Sequence, residues 1–577
     1  MYLRETKRRN KDGSTVSYLQ LAHNERHPVS GSPVAKVIHN FGRADQVDRE
    51  ALSRLVASIG RFLDPAEAVA ATSGSDVEVI DARRFGGAYV LDELWRRLGI
   101  TQSLALAAAG RRLDPAVTER VLFALVAQRC LEPGSKLASV AWARERVALL
   151  DCPVFDDQGT YAAMDFLLDA LGEIAEGIFN RTANLLNLAC DVIFVDTSST
   201  YFERDVADSL QELDRAAGEM EDAEAEQALA VPEEAAIRRF SKHSKDHRSD
   251  LPQVVLGMAV TAEGIPIRCW TFPGTTSDRQ IIRKIKDDLA GWMLHRVVFV
   301  ADSGFNSADN RTYLASAGSH YVMAERLRNA SREVRQALGR AGRYHAVGGN
   351  LKVKEVRVGE GARASRFVIC YNPEVASRDA AVRSNLVAHL EQQIADSDSW
   401  TKQRRDELVG ELRTTPGLRR LLRRTKDGKL RVDRSKVNDE ARYDGKFVLR
   451  SDDDSLSATD LALAYKQLSQ VERGWRDLKG ALSLRPVFHH REDRIRSHVQ
   501  LCWLALLLIR VAENATGDTW RNLRHELDRM ALVTLETSEG RIAKRSATTA
   551  RQREIFRALD VREPAQILDY ELPEPAA

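Results

Sequence analysis

The chain has 577 residues, more than one hydrophobic core organises, so several domains are expected. Lys plus Arg total 85 against 83 Asp plus Glu, a formal net charge of +2, which excludes a uniformly basic nucleic-acid coat. The longest apolar run, Leu501 to Ile509, is far short of the about 20 residues of a membrane span. The first nine residues lack the apolar segment of a signal peptide. Six cysteines without a Cys-x-x-Cys pair argue against a zinc site and a disulfide framework and fit a reducing cytoplasm.

In chain order, residues 1–77 read as an N-terminal β/helical module and linker. Short β-like runs come first, with a hairpin turn at Lys11-Asp-Gly-Ser, then a helix over about 47–63 and an Ala/Ser/Gly linker around 65–77. Arg4, Lys7, Arg8, Arg9 and Lys11 leave two readings open, a solvated β-module or a DNA-contacting arm. Residues 78–189 have helical periodicity and are expected to form a helical domain, with a DNA-binding role favoured over a plain bundle.

From 190 the pattern changes. Cys190-Asp-Val-Ile-Phe-Val-Asp196 is a buried-strand run ending in a carboxylate. An acidic insert follows over about 208–236, with ten acids against Arg215 alone; it reads as a solvated helix or loop, or as a mimic shielding a basic groove. The stretch bearing Lys242, Lys245 and Arg248 is a basic approach to a strand. Gln253 to Thr261 and Ile265 to Phe272 form a hairpin, Ser277 to Leu289 a helix, and Arg296-Val-Val-Phe-Val-Ala-Asp302 a second strand ending in a carboxylate. A helix from Ser307 and a strand from His320 complete the stretch to 325.

Residues 326–455 contain further β-runs, a charged helix over about 375–412 and a basic stretch. From Lys402 to Lys436 there are thirteen bases against five acids, a local patch for a polyanion that the near-zero net charge conceals. This segment reads as a β-rich insertion with a basic helical arm. Residues 456–529 return to helical pattern, and 530–577 form a C-terminal tail, helical and then Pro-rich.

The stretch Tyr465 to Lys479 contains no Pro and one Gly, and its apolar residues recur at helical spacing. At about 100° per residue, Tyr465, Leu468, Glu472, Trp475 and Lys479 fall within about 80° of one another. One face thus carries a carboxylate suited to a divalent cation and a phenol and ammonium suited to phosphate.

Tyr465, Glu472 and Lys479 resemble, in identity and spacing, the Tyr-x2-Arg-x3-Glu-x6-Lys motif of one subgroup of bacterial insertion-sequence transposases of the Asp-Asp-Glu (DDE) type. The Arg position holds Leu468, a departure, with Arg473 and Arg476 as alternative bases. The resemblance implies an α/β fold: a ribonuclease-H-like catalytic core over about 190–325 and 456–529, interrupted by a β-rich insertion domain and preceded by a small β module and a helical domain. It implies that Asp196, Asp302 and Glu472 are catalytic and hold two Mg²⁺ or Mn²⁺ ions, and that Tyr465 and Lys479 grip a phosphate of the element's end. Trp475 is expected either to stack on a displaced base or to be a core indole. The implied partners are double-stranded DNA, as terminal inverted repeats and target, and a second copy of the chain on DNA, with no membrane. The implied setting is the bacterial cytoplasm. The expected activity is cutting at the ends of an insertion sequence and joining of the freed 3′-OH to target DNA. The alternatives are a related nuclease that does not join, or an inactive DNA-binding regulator.

Overall fold

The computed structural model describes residues 1–10, 14–27, 32–48, 51–52, 55, 59, 78–186, 188, 191–203, 207–208, 237–242, 244–292, 296–361, 364–412, 415–537 and 540–571. The hairpin turn at 11–13, most of the helix expected over 47–63, the linker around 65–77 and nearly all of the acidic insert lie outside these residues. Two units are distinguished. One comprises Met1–Asp81, Val533–Lys544 and Ile567–Ala577; the other comprises Ala82–Leu532 and Arg545–Gln566.

In the first unit, β1 (Tyr2–Arg9), β2 (Thr15–Arg26) and β3 (Pro33–Arg43) form an antiparallel sheet in that order. The β-module expected at the N-terminus is therefore present. A second sheet begins with β4 (Glu78–Arg84).

The second unit opens with six helices, as the periodicity predicts: α1 (Gly86–Arg97), α2 (Ile100–Ala108), α3 (Pro115–Leu131), α4 (Lys136–Glu145), α5 (Asp157–Asp169) and α6 (Leu171–Leu186). Asp114 caps α3 by accepting from the amides of Ala116 and Val117, with Pro115 in the first turn. Every residue of α3 from Glu119 on is buried, so this helix is a scaffold rather than an exposed reader of DNA bases.

Next come β5 (Val192–Tyr201), β6 (Gln253–Val260), β7 (Pro266–Pro273), α7 (Asp278–Leu289), β8 (Val298–Ala301), α8 (Ala308–Leu314) and β9 (His320–Glu325). This is the order expected: strand, hairpin, helix, strand, helix, strand. β5 lies at the centre, antiparallel to β6 and parallel to β8, and β8 is parallel to β9. Every residue of β6 is buried, because both faces of the sheet are covered.

Strands of the 326–455 segment extend the central sheet. After α9 (Arg332–Gly339), β10 (His345–Gly348), β11 (Leu351–Val358) and β12 (Ser365–Tyr371) join β15 (Lys446–Ser451), and β15 pairs antiparallel with β9. The result is one nine-stranded sheet, β10-β11-β12-β15-β9-β8-β5-β6-β7. The inserted strands cover what would otherwise be the open edge at β9. The charged helix is two helices, α10 (Pro373–Ile394) and α11 (Lys402–Glu411), capped anew by Thr401. With α12 (Pro416–Arg419), β13 (Leu422–Arg424), β14 (Leu430–Val432) and α13 (Arg434–Ala441), they make an arm whose small core includes Leu390, Leu412, Leu421 and Leu430.

Three helices close the site: α14 (Ala458–Lys466), α15 (Ser469–Lys479) and α16 (Glu492–Thr516). The apolar run Leu501–Ile509 is wholly buried in α16. Among the described residues α16 alone is long and apolar enough to cross a membrane, and 94% of its apolar window is buried within the fold. After α17 (Trp520–Leu527), the tail differs from its helical reading. It holds β16 (Ala531–Thr537), β17 (Gly540–Arg545), one helix α18 (Ala550–Ala558), and β18 (Ile567–Glu571), in a sheet ordered β18-β17-β16-β4. The alternation of short apolar and charged residues in 531–545 was the signal for these strands.

Candidate active site

Strand register builds the site. β5 and β8 run parallel with Val195 beside Ala301, so the next residues, Asp196 and Asp302, emerge side by side at the carboxyl ends of adjacent central strands. Across the other edge, Asp196 pairs with Met258 and Thr197 with Gly257, and paired residues share a face of the sheet. Met258 packs against α15: a Cβ on Gly474 would lie 2.7 Å from its Cε. Asp196 therefore faces the helix of Glu472. Gly257 faces Ile281 and Ile285 of α7, and Thr197 faces the start of that helix.

At that start stands a fourth carboxylate that the sequence reading missed. Thr197 Oγ1 donates to Asp278 Oδ1 at 2.6 Å. Asp278 also lies close to Gly304: a Cβ there would meet its Oδ2 at 2.6 Å, so a larger residue two positions after Asp302 would push the Asp278 carboxylate aside. Asp278 was hidden because an Asp after Ser277 reads as an ordinary helix N-terminus, and its capping box is indeed formed with Gln280.

Lys245 lies within the acidic cluster. Its Nζ donates to Thr197 O at 2.9 Å and to Thr197 Oγ1, and stands 3.6 Å from Asp278 Oδ2 and 3.8 Å from Asp196 Oδ1. Burial pushes the Asp196 carboxyl up to about 6. Lys245 and the Thr197 amide oppose that rise, and the charges of Asp278 and Asp302 add to it.

The expected helix is broken by a turn at Gln467 and Leu468, so Tyr465 lies in the last turn of α14 while Glu472 stands in the first turn of α15. Leu468 is buried at the junction, which accounts for an apolar residue where the related motif has Arg. Tyr465 nevertheless reaches the site, donating from its hydroxyl to Asp302 Oδ1 at 3.0 Å. Its phenol is held well above the usual tyrosine range, first by burial, then by Asp302, and further by the charges of Glu472 and Asp196. Tyr465 thus senses all three expected carboxylates. Glu472 itself is exposed.

The remaining candidates divide. Lys479 donates to Asp246 Oδ1 at 2.8 Å, and Arg485 lies 3.3 Å from the other oxygen of Asp246, so two bases converge beside β5 on a carboxylate not foreseen. Burial lowers the Lys479 ammonium's pKa, and Asp246 counters it. Arg248 pairs with Asp250 and lies over the Tyr201 ring at 5.1 Å. Lys242 and Arg476 are exposed. Arg473 donates to the buried Glu513 at 2.9 Å, which joins α15 to α16. Trp475 is only 5% exposed, so it is a core indole and the stacking role is not open to it here.

Metal fit follows from the donor set. Asp196, Asp278 and Asp302 are hard oxygen donors, near one another and balanced locally by Lys245, an environment suited to Mg²⁺ or Mn²⁺. Among the described residues no three His, Cys, Asp or Glu side chains are drawn together at metal-binding distance.

Comparison with known proteins defines the family. Residues 226–508 match the family described as Transposase DDE domain, a span that includes Asp302 and Glu472 and begins after Asp196. Residues 3–70 match the IS1634 family transposase, N-terminal domain. The chain belongs to the insertion-sequence transposases of the DDE type. No curated protein matches it. Among solved structures it is similar to the cryo-EM structure of the piggyBac transposase synaptic complex with hairpin DNA, at 10% identity and a TM-score of 0.32, over 76% of this chain and 79% of that one.

Proposed function

We propose that this transposase cuts DNA at the ends of an insertion sequence and joins the ends to target DNA, using a ribonuclease-H-like core made of β5 to β9 with the helices around them. The observation that carries this reading is the side-by-side emergence of Asp196 and Asp302, with Tyr465, close upstream of Glu472, bonded to Asp302. Asp196, Asp302 and Glu472 would hold Mg²⁺ or Mn²⁺, with Asp278 as an additional carboxylate at the same point. Bound there, a pair of such ions would supply an activated oxygen and charge stabilisation for in-line displacement at phosphorus.

The chain's own groups act around that chemistry. Tyr465 fixes the orientation of the Asp302 carboxylate. Lys245 offsets the charge of Asp196 and Asp278 before substrate arrives. Lys479 and Arg485, held by Asp246, are placed to take a phosphate of the element's end. Water first breaks the P–O3′ bond, leaving a 3′-OH and a 5′-phosphate. The 3′-OH then attacks a target phosphodiester and displaces its 3′ oxygen, so the number of phosphodiester bonds is unchanged in that step. The DNA partners are the terminal inverted repeats and target duplex, and two ends call for two copies of the chain. The cytoplasm is the proposed setting.

The test is a cleavage and strand-transfer assay with Mg²⁺ on duplex carrying the element's end. Asp196→Ala, Asp302→Ala and Glu472→Gln should each abolish products while retaining DNA binding. Cutting without joining by the unaltered protein would favour a nuclease, and retained cutting in any one variant would remove that residue from the set.

A further inference from the structure

Two clefts adjoin at Arg326, just beyond the end of β9. The smaller, about 240 Å³, begins at Ser303, the residue after Asp302, and is lined by Arg279, Arg311 and Arg326. The larger, about 450 Å³, shares Arg326 and continues past Arg328 and Lys446 to Arg420 on the helical arm. Together they are lined by eight basic residues and five acidic ones.

The acids are already engaged within the chain. Glu325 and Glu333 pair with Arg450, Asp444 with Arg383, and Glu440 with Arg420, while Asp379 accepts from the Gly445 amide at 2.9 Å. Arg279, Arg326 and Arg328 are exposed and form no ion pair among the described residues. The surplus charge of the trough is therefore directed outward, which suits a polyanion rather than a protein surface of mixed charge.

We propose that this trough carries the phosphate backbone of a DNA strand from the catalytic carboxylates to the helical arm, with Arg279, Arg326 and Arg328 as its phosphate contacts. The proposal rests on the transposase reading above and adds a path that the site residues do not specify. It gives β15 a purpose beyond covering β9, since Lys446 lines the larger cleft and Arg450 the smaller.

The experiment is fluorescence anisotropy of the full-length chain on a labelled 40-base-pair duplex of arbitrary sequence, across a salt series, without divalent metal. Arg326→Glu with Arg328→Glu should weaken binding by about tenfold or more. Arg326→Gln with Arg328→Gln should reduce the slope of log affinity against log salt by about 1.8, at about 0.9 per phosphate contact. Thermal transitions of both variants should match the parent, since both residues are exposed. A parent that binds while both variants keep its affinity and slope would overturn the trough alone. A parent that fails to bind duplex would overturn the transposase reading and the trough with it.

Discussion

Tyr465 donates a 3.0 Å hydrogen bond to Asp302, across 163 residues of chain, and so ties the helix before Glu472 to the end of a central strand. The ring also packs on Phe447 of β15 at 5.5 Å. Tyr465→Phe keeps that packing and removes the bond. A hydrogen bond to a charged group is worth about 1.5–3 kcal/mol, so cleavage should fall by about tenfold to a hundredfold with DNA binding retained. Unchanged cleavage rates would show that Asp302 needs no help from this phenol.

Lys245 contacts both Asp196 and Asp278, so Lys245→Met leaves their charges facing one another. Without metal, the variant should lose about 1–3 kcal/mol in urea unfolding. Added Mg²⁺ should restore more stability to the variant than it gives the parent, because the ion supplies the missing positive charge. Equal responses to Mg²⁺ would contradict the role assigned to Lys245.

Arg510 is fully buried and bonds to both Asp477 of α15 and Glu513 of its own helix. Removing one partner of a buried ion pair leaves uncompensated charge. Arg510→Ala should therefore cost about 3–5 kcal/mol and loosen α15, the helix that carries Glu472. Urea unfolding of the variant checks the cost, and a loss near zero would refute it.

Lys136 is 3% exposed and its Nζ finds no hydrogen-bond partner among the described residues; burial lowers its pKa to about 7. Between about pH 7 and 10.5 the unfolded chain holds a proton that the folded chain has released, so stability should rise with pH through this window. Lys136→Met should be more stable than the parent below pH 7, where the parent keeps a buried charge. The advantage should shrink by at most about 1.4 kcal/mol for each pH step of one across the window, and vanish as pH approaches 10.5. Thermal melts of both proteins at about pH 6, 8 and 10 measure it, and an advantage that does not change with pH would contradict the assignment.

Much of the central sheet was legible because its strands are short apolar runs, two of which end in Asp196 and Asp302, and the order of elements follows from them; the register that sets the two carboxylates side by side comes from the strand pairing. Less legible was anything set by tertiary pairing. Nothing local to Lys446–Ser451 reveals that β15 lies against β9. Asp278 looked like a helix start, and Lys245 looked like one base in a basic stretch; both belong to the acidic cluster only because Thr197 and Asp196 stand beside them. Trp475 shares the face of Glu472 by helical spacing, yet it is buried, since one helical face is wide enough to hold both core and site residues.

Asp196, Asp302 and Glu472 are proposed to meet around shared metal. The most direct measurement replaces Mg²⁺ with Fe²⁺ and, with ascorbate and peroxide, maps where the chain cuts itself by radicals formed at the bound ion. Scission clustered near residues 196, 302 and 472, suppressed by excess Mg²⁺, is the predicted result. Scission absent from any one of the three, while the others are cut, would contradict the claim.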